Sequence, residues 1–197
     1  MPVNEPKATD GTRSAKPRIE RAALQLFVES GVDAATTRQI ARQAGVSEGA
    51  LYRHYKGKDE LALALFLETH NRLGEMLSEA LSSGNSVEER IRNAVSAYCR
   101  LADEDWLLFS FHLVSLNRFL PHDTRREDDP LTRFERVFTH MMEAGHIPRA
   151  DPALVTAMCL GVVTQAAQNK IYNRLPGPFS AHVDDFSRSI LAILYQK

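Results

Sequence analysis

The segment from Thr36 to Leu61, TTRQIARQAGVSEGALYRHYKGKDEL, constrains the fold of this chain more than any other segment. Two sets of apolar residues recur in it at helical spacing, and a tight turn separates them. Gly45 can adopt a left-handed conformation in that turn, and Ser47 can cap the helix that follows. The two sets are Ile40, Ala41 and Ala44, then Val46, Ala50 and Leu51. The pattern predicts a helix-turn-helix, whose second helix lies in the major groove of DNA.

The charges of the N-terminal region favour the same partner. Residues 1–58 hold ten Lys and Arg against six Asp and Glu, a balance of +4. The remaining residues hold fourteen against nineteen, a balance of −5. Such a distribution is typical of a protein that contacts a polyanion with one end only. We therefore expect double-stranded DNA as a partner.

Composition and motifs argue against several other classes of protein. Cys99 and Cys159 belong to no CxxC or Cys/His cluster, so we expect two buried, reduced thiols with no metal and no cofactor; a redox-sensing pair is the alternative. The N-terminus lacks the apolar segment of a secretory signal, and the longest apolar run, residues 61–67, is too short to span a bilayer. We expect a cytoplasmic protein that does not contact membranes. Common catalytic motifs are missing from the sequence, so we also expect no enzymatic activity.

Glycine, proline and serine divide the chain into segments of helical length. Residues 1–14 are polar and predict a disordered tail. The remainder shows helical periodicity and no alternation typical of strands. We predict an all-α fold with an N-terminal three-helix domain over 15–66 and a helical domain of about five helices over 67–197. A long fourth helix, beginning near Lys58, links the two domains. The later helices are predicted over residues 87–103, 105–120, 130–144, 152–174 and 180–195.

The sequence AALQLFVESGVDAATTRQIARQAGVSEGALYRHYKGKDEL closely resembles the DNA-binding domain of TetR-family transcriptional regulators. The resemblance covers residues 18 to about 66 without gaps, with Tyr55 where the family often has Phe. It implies a homodimer on an inverted-repeat operator. It also implies that residues 67–197 form an effector-binding and dimerisation domain, in which a bound small molecule releases the DNA.

Eleven residues are predicted to contact DNA or to position the contacts. They are Thr36, Thr37, Arg38, Ser47, Glu48, Gly49, Ala50, Tyr52, Arg53, His54 and Lys58. Thr36 and Thr37 begin the first helix of the motif, where one hydroxyl caps the helix and the other, by preference that of Thr37, binds phosphate. Arg38 suits a bidentate contact with guanine, the alternative being a phosphate contact or plain solvation.

The first turn of the second helix has its own expected contacts. Glu48 can accept a hydrogen bond from cytosine, or it can simply complement the helix dipole. Gly49 permits close approach, and the Ala50 methyl can meet a thymine methyl. By the resemblance, Tyr52, His54 and Lys58 occupy positions that clamp the DNA backbone. Arg53 adds positive charge without sequence information.

Polar residues among aromatic ones predict a small-molecule pocket in the C-terminal domain. The predicted lining residues are Tyr98, Trp106, Phe109, His112, Phe138, Gln165 and Asn169. No acidic cluster stands at its expected mouth, which favours a neutral or weakly anionic hydrophobic effector. The alternative is an ordinary helical core.

Two C-terminal helices are predicted to form half of a four-helix dimer interface, because residues 155–167 are small and apolar on nearly all sides. The predicted interface residues are Cys159, Val163, Ala166, Ala167, Phe186, Ile190, Ile193 and Leu194. The alternative is a fully intramolecular core.

Together these observations predict a sequence-specific DNA-binding regulator, by preference a repressor that a small hydrophobic molecule releases from its operator. Activation is left open. The competing hypothesis is an architectural DNA-binding protein without an effector.

Overall fold

The computed structural model describes residues 14–120 and 129–196, so the predicted disordered tail lies outside the described residues except for Ser14. The described part contains helices and no strand, which confirms the all-α prediction. The helices are α1 (Ala15–Ala34), α2 (Thr37–Ala44), α3 (Glu48–Tyr52), α4 (Lys58–Ser82), α5 (Val87–Glu104), α6 (Trp106–Phe119), α7 (Pro130–Glu143), α8 (Pro152–Ile171) and α9 (Val183–Leu194). A short 3₁₀ helix, Phe179–His182, precedes α9.

Contacts divide the chain into two compact units, the first ending at Ala62 and the second beginning at Leu63. The division falls inside α4, so this helix contributes residues to both units. The predicted domain boundary at residue 66 also falls inside α4, and it stays a prediction.

The first unit is built around α1. Its buried stripe follows helical spacing, and the side chains of Ile40 and Leu51 are fully buried in the same unit. The stripe comprises Ile19, Ala22, Ala23 and Phe27. Gly31 interrupts the regular helix with φ +82° and ψ 158°, a conformation that a residue with a Cβ rarely adopts. The helix is therefore kinked at Gly31.

The second unit has one large apolar core, to which α5, α7, α8 and α9 all contribute. Aspartate and serine side chains cap four of its helices: Ser86 for α5, Asp105 for α6, Asp129 for α7 and Asp151 for α8. Each accepts hydrogen bonds from backbone N–H groups that would otherwise lack a partner inside the helix. These caps stand at or next to the predicted breaks, which explains why the helix boundaries were largely predictable.

The connection between α8 and α9 is fixed by Asp103 of α5. Its carboxylate accepts hydrogen bonds from the backbone N–H groups of Phe179, at 2.7 Å, and Ser180, at 2.9 Å. The Phe179 side chain is fully buried beside Tyr98 and Phe109. Within the described ranges, we find no helix that combines the length and apolar character needed to cross a membrane.

Candidate functional sites

The turn between α2 and α3 has the local chemistry that the sequence predicted. The side chain of Thr36 accepts a hydrogen bond from the backbone N–H of Gln39 at 3.2 Å, and the Gln39 side chain accepts from the backbone N–H of Thr36 at 3.0 Å. This reciprocal capping box begins α2. Gly45 ends the helix in the left-handed region, with φ +64° and ψ 39°. Ser47 then caps α3 by accepting from the backbone N–H of Ala50 at 3.2 Å.

Most of the predicted DNA-contacting side chains of this unit are exposed. Arg38, Glu48, Gly49, Arg53 and His54 all face solvent. A depression of about 410 Å³ lies along α2 and the start of α3. It is lined by Thr36, Arg38, Gln39, Ala41, Arg42, Val46 and Glu48. Two arginines and one glutamate thus border this depression.

Two hydroxyl groups that the sequence assigned separately to phosphate meet in the structure. The Oγ1 atom of Thr37, at the start of α2, lies 3.3 Å from the phenolic oxygen of Tyr52, at the end of α3. The Tyr52 side chain is 52% exposed. The two hydroxyls hydrogen-bond to each other, which leaves one O–H of the pair to donate to an anionic oxygen; both can donate once that bond is exchanged for bonds to the anion.

The burial of Ala50 contradicts the DNA contact predicted for it. Its side chain is 7% exposed and belongs to the core of the first unit, so its methyl cannot meet a thymine methyl. Ala50 and Leu51 are the buried residues of α3, whereas Glu48 and Gly49 in its first turn are exposed.

Lys58 has structural partners in addition to its predicted role. Its ammonium donates hydrogen bonds to the backbone carbonyls of Asp33, at 2.5 Å, and Ala35, at 2.9 Å. These bonds tie the start of α4 to the end of α1. An ammonium has three N–H donors, so one donor is left for a phosphate.

The second unit encloses a cavity of about 140 Å³. Its lining is apolar apart from His70, Tyr98, His112 and Thr164, and comprises in addition Leu73, Gly74, Leu77, Leu113, Leu116, Leu120, Pro130, Leu131, Phe134 and Leu160. A second cavity, of about 60 Å³, shares four of these lining residues and extends toward Phe138, Cys159 and Val163. An apolar cavity with a few polar groups is the usual form of a small-molecule site.

The structure brings together three of the seven predicted pocket residues: Tyr98 and His112 line the larger cavity, and Tyr98 and Phe138 line the smaller one. The other four do not line either cavity. Phe109 is core, with its ring centroid 5.0 Å from that of Tyr98. Trp106 lines a separate, open depression, where the Lys170 ammonium lies 5.2 Å from its ring centroid.

The two predicted polar groups on α8 point away from the cavities. Gln165 is exposed and Asn169 is half-buried. Thr164 and Leu160, one turn apart on α8, line the larger cavity instead. Because neighbouring residues on a helix point about 100° apart, choosing Gln165 rather than Thr164 selected the wrong face.

Sequence reasoning missed His70 and Asp129. His70 of α4 donates to, or accepts from, His112 of α6 through an Nδ1–Nε2 hydrogen bond of 3.0 Å. The Nε2 atom of His70 lies 3.6 Å from the Asp129 carboxylate. The ring of Phe66 stacks on both imidazoles. The available signal was the helical spacing of His70 with Phe66, Leu73 and Leu77, which places a histidine on the buried face of α4.

Burial lowers the pKa of both imidazoles. Desolvation, with a smaller contribution from the neighbouring His70, lowers the pKa of His112 to about 3. Desolvation also lowers the pKa of His70, although the Asp129 carboxylate opposes this shift. Burial raises the pKa of the Tyr98 hydroxyl as well. Within the described residues, no group of three or more His, Cys, Asp or Glu side chains could hold a metal ion.

The predicted dimer interface needs a correction, because five of its eight residues are buried within the chain itself. They are Cys159, Val163, Ala167, Ile190 and Leu194. Cys159, Val163 and Ile190 line the smaller cavity. Burial raises the pKa of the Cys159 thiol to about 12. Ala166, Phe186 and Ile193 are half-buried.

A different face of α8 is open to solvent. It carries Leu154, Ala157, Gly161, Gln165 and Gln168 in succession, and the exposed Tyr172 follows directly after the helix. Leu154 is 57% and Tyr172 is 66% exposed, and nothing lies within 4 Å of a Cβ placed at Gly161. The exposed face therefore offers large apolar groups at its ends and small residues in its middle.

The described residues thus combine a helix-turn-helix in the first unit with an apolar cavity in the second. Residues 19–65 match the family model described as "Bacterial regulatory proteins, tetR family". This match covers the part of the chain whose sequence resembles the DNA-binding domain of that family.

Relatives of known designation match a longer part of the chain. The chain is 29% identical over 126 residues to the "HTH-type transcriptional repressor AcnR" of Corynebacterium diphtheriae, covering 60% of this chain and 62% of the relative. It is 22% identical over 161 residues to the "Fatty acid metabolism regulator protein" of Bacillus subtilis, covering 79% and 83% respectively. Both names are those of regulators, in agreement with the expectation that the chain is not an enzyme.

The fold extends over the whole chain of a solved relative. The crystal structure of the transcriptional regulator FadR from Bacillus subtilis, in complex with stearoyl-CoA, superposes with a TM-score of 0.71 at 19% identity. The match covers 91% of this chain and 97% of FadR. This likeness establishes a common fold.

Proposed function

We propose that this protein is a transcriptional repressor that binds an inverted-repeat operator as a homodimer and leaves it when a small hydrophobic molecule enters the cavity of the second unit. The observation that carries the proposal is the capped helix-turn-helix with its exposed cationic and hydroxyl groups. The cavity supports the second half of the proposal, because a cavity with unpaired polar atoms is suited to a ligand.

DNA recognition is assigned to the exposed residues of α2 and α3. Arg38 has five N–H donors in a planar arrangement that matches the guanine edge in the major groove, and Glu48 can accept from cytosine. Thr37 and Tyr52 bind phosphate together, and the free N–H groups at the start of α2 favour the same anion. Arg53 and His54 add phosphate contacts that position the helix without reading sequence.

Dimerisation is assigned to the exposed face of α8 together with the half-buried residues Phe186 and Ile193 of α9. Leu154 and Tyr172 offer apolar area, and Ala157 and Gly161 allow close approach of a second helix. Two-fold symmetry of the protein then requires two-fold symmetry of the operator.

Effector release requires only a difference in affinity between two conformations. One conformation can dock on both half-sites and the other cannot. A ligand that binds the second conformation more tightly weakens DNA binding by the difference between its two binding free energies. A difference of about 2.7 kcal/mol lowers DNA affinity about 100-fold. The assignment as a repressor agrees with the name of the AcnR relative. The FadR relative was solved with stearoyl-CoA, which supports an effector with a long apolar part.

The test is selection of bound sequences from random duplex DNA by the full chain, followed by footprinting. Enrichment of one inverted repeat, protected on both half-sites, is the expected result. The selected duplex, placed over a promoter, should lower transcription when the protein is present.

Two outcomes would contradict the proposal. Salt-sensitive binding without an enriched motif would favour an architectural protein. Increased transcription from the selected site would make the protein an activator. The control is the Arg38→Ala variant, which should lose discrimination at one position per half-site, by about 1–3 kcal/mol, and keep the dimer.

A further inference from the structure

We infer that the cavity of the second unit binds the hydroxyl group of an otherwise apolar molecule, an alkanol or a phenol, through the Nδ1 atom of His112. The inference rests on the proposed function, because it assigns the chemistry of the effector. His112 and Tyr98 both line the larger cavity and are 4% and 3% exposed. Three polar atoms of the lining have no hydrogen-bond partner among the described residues: Nδ1 of His112, the Tyr98 hydroxyl, and Nε2 of His70, which lies 3.6 Å from the Asp129 carboxylate.

The contacts of His70 determine which hydrogen-bonding role His112 has left. A neutral imidazole has one N–H donor and one bare acceptor nitrogen. If His70 donated through Nδ1, its bare Nε2 would face the Asp129 carboxylate at 3.6 Å, and two acceptors would repel each other. The favoured arrangement directs Nε2–H of His70 at Asp129. Nδ1 of His70 then accepts from Nε2–H of His112, and Nδ1 of His112 is a bare acceptor.

Asp129 is held in place for this role by the helix that it caps. Its Oδ2 atom accepts from the backbone N–H groups of Leu131, at 3.0 Å, and Thr132, at 3.4 Å, which leaves Oδ1 toward His70. The carboxylate therefore cannot rotate away without releasing the first turn of α7. Asp129 is a positioning residue, since it acts on the ligand only through the two histidines.

With Nε2 of His70 directed at Asp129, a hydroxyl group can satisfy the other two unpaired atoms, Nδ1 of His112 and the Tyr98 hydroxyl. It can donate to Nδ1 of His112 and accept from the Tyr98 hydroxyl, whereas an ether or thioester oxygen only accepts. A site built around a polar group discriminates against an analogue that leaves this group unpaired.

The charge of the lining excludes a buried ionic head group. Among the described residues that line the larger cavity, there is no Lys, Arg, Asp or Glu to pair with an ion. The Thr164 hydroxyl already donates to the Leu160 carbonyl at 2.8 Å, so it does not compete for the ligand. Leucine and phenylalanine side chains provide the surface for the hydrocarbon part, and the smaller cavity continues it.

The test compares 1-octanol with heptyl methyl ether, two isomers of which only the first has an O–H donor. Binding to the purified full chain without DNA is measured by titration calorimetry. We expect 1-octanol to bind about tenfold more tightly than the ether. In the His112→Phe variant, which keeps an aromatic ring against Phe66, this difference should disappear.

Three further variants separate the roles. Tyr98→Phe should weaken both isomers alike, because the lost hydroxyl donates to either oxygen. Asp129→Ser keeps a capping oxygen for α7 but removes the carboxylate beside His70, and should reduce the preference for 1-octanol. Trp106→Phe, on the same helix as His112 but outside the cavity, should leave the preference unchanged. Circular dichroism confirms that each variant is folded.

Equal affinity of the wild-type chain for both isomers, or binding of neither, would overturn the inference. So would a preference that persists in both His112→Phe and Asp129→Ser. Because DNA is absent from this experiment, its failure leaves the operator selection untouched. A chain that prefers 1-octanol but enriches no inverted repeat would instead contradict only the proposed function.

Discussion

Thr37 and Tyr52 show how two single residues can act as one contact. Their hydroxyl oxygens are 3.3 Å apart although they belong to α2 and α3. If both donate to the same phosphate, Thr37→Val and Tyr52→Phe should each weaken operator binding by about three- to tenfold, the value of one hydrogen bond. The double variant should then lose less than the product of the two effects. Fluorescence anisotropy with the selected operator measures all three.

The matched control for this pair is Ser30→Ala. Ser30 is exposed on α1 and its hydroxyl bonds to the Leu26 carbonyl of its own helix, so its removal should not affect DNA affinity. Fully multiplicative effects of Thr37→Val and Tyr52→Phe would indicate two separate contacts.

His112 makes the stability of the chain depend on pH. The pKa of His112 in the folded protein, about 3, lies below its ordinary value of 6.5. Between these two pH values the unfolded chain therefore binds a proton at His112 and the folded chain does not. The contribution of neutral His112 to the free energy of unfolding is therefore fully present above about pH 6.5. It is lost as the pH falls toward the pKa of His112 in the folded protein. Between pH 7.5 and 5.5 we expect a loss of about 1 kcal/mol from this group.

Urea unfolding at the two pH values measures this loss, and the His112→Phe variant isolates it from other titrating groups. The variant should lose about 1 kcal/mol less than the wild-type chain over the same interval. An identical loss in both proteins would show that His112 is not held neutral by the fold.

At the scale of helices, the contact between α4 and α7 depends on a missing side chain. A Cβ on Gly74 would lie 2.6 Å from both Cβ and Cγ of Pro130, the first residue of α7. Alanine is intrinsically better than glycine in a helix by about 1 kcal/mol. Overpacking of the added methyl against Pro130 costs about 1–3 kcal/mol. We therefore expect Gly74→Ala to lower the free energy of unfolding, although alanine has the better helix propensity. The shift of the urea midpoint measures it.

The partner substitution Pro130→Gly tests the cause of this loss. It removes the two closest atoms and leaves the Pro130 Cα, at 3.3 Å, as the nearest one. In that background Gly74→Ala should cost less or become favourable. Stabilisation by Gly74→Ala in the wild-type background would show that α7 can move away from α4 without loss.

Local interactions at helix ends could be predicted from the sequence, whereas the buried and exposed faces of α8 could not. The hydroxyl cap at Thr36, the left-handed turn at Gly45 and the cap at Ser47 are interactions within a few residues, and all three were predicted. The faces of α8 were not, because a helix that is small and apolar on nearly all sides has no periodic signal. The choice of Gln165 over Thr164, and of Cys159 as an interface residue, failed for this reason.

The cavity depends on contacts between residues distant in sequence. His70 and His112 are 42 residues apart, and Asp129 joins them from a third helix. A lone histidine on an apolar helix face gives no indication of its partner. Tyr98, His112 and Phe138 were predicted only as polar or aromatic residues in apolar surroundings, and the arrangement that gives His112 a free acceptor required the structure.

At the scale of the whole molecule, the exposed face of α8 predicts how two copies meet. Nothing lies within 4 Å of a Cβ at Gly161, so within one chain a larger residue is tolerated there. Between two copies it is not, because a leucine side chain would separate helices that approach at Ala157 and Gly161. We expect Gly161→Leu to raise the dissociation constant of the dimer at least about tenfold, which corresponds to about 1.4 kcal/mol. Sedimentation velocity over a concentration series measures it.

Arg100→Leu is the matched control for the dimer experiment, since Arg100 is exposed on α5 and the substitution adds the same side chain. It should leave the dimer unchanged.

Because each operator half-site holds one copy, Gly161→Leu should also weaken binding to the full inverted repeat far more than binding to an isolated half-site. A dimer of unchanged stability in Gly161→Leu would place the interface elsewhere. Unfolding midpoints of both variants near the wild-type value would show that the effect arises between copies and not within one.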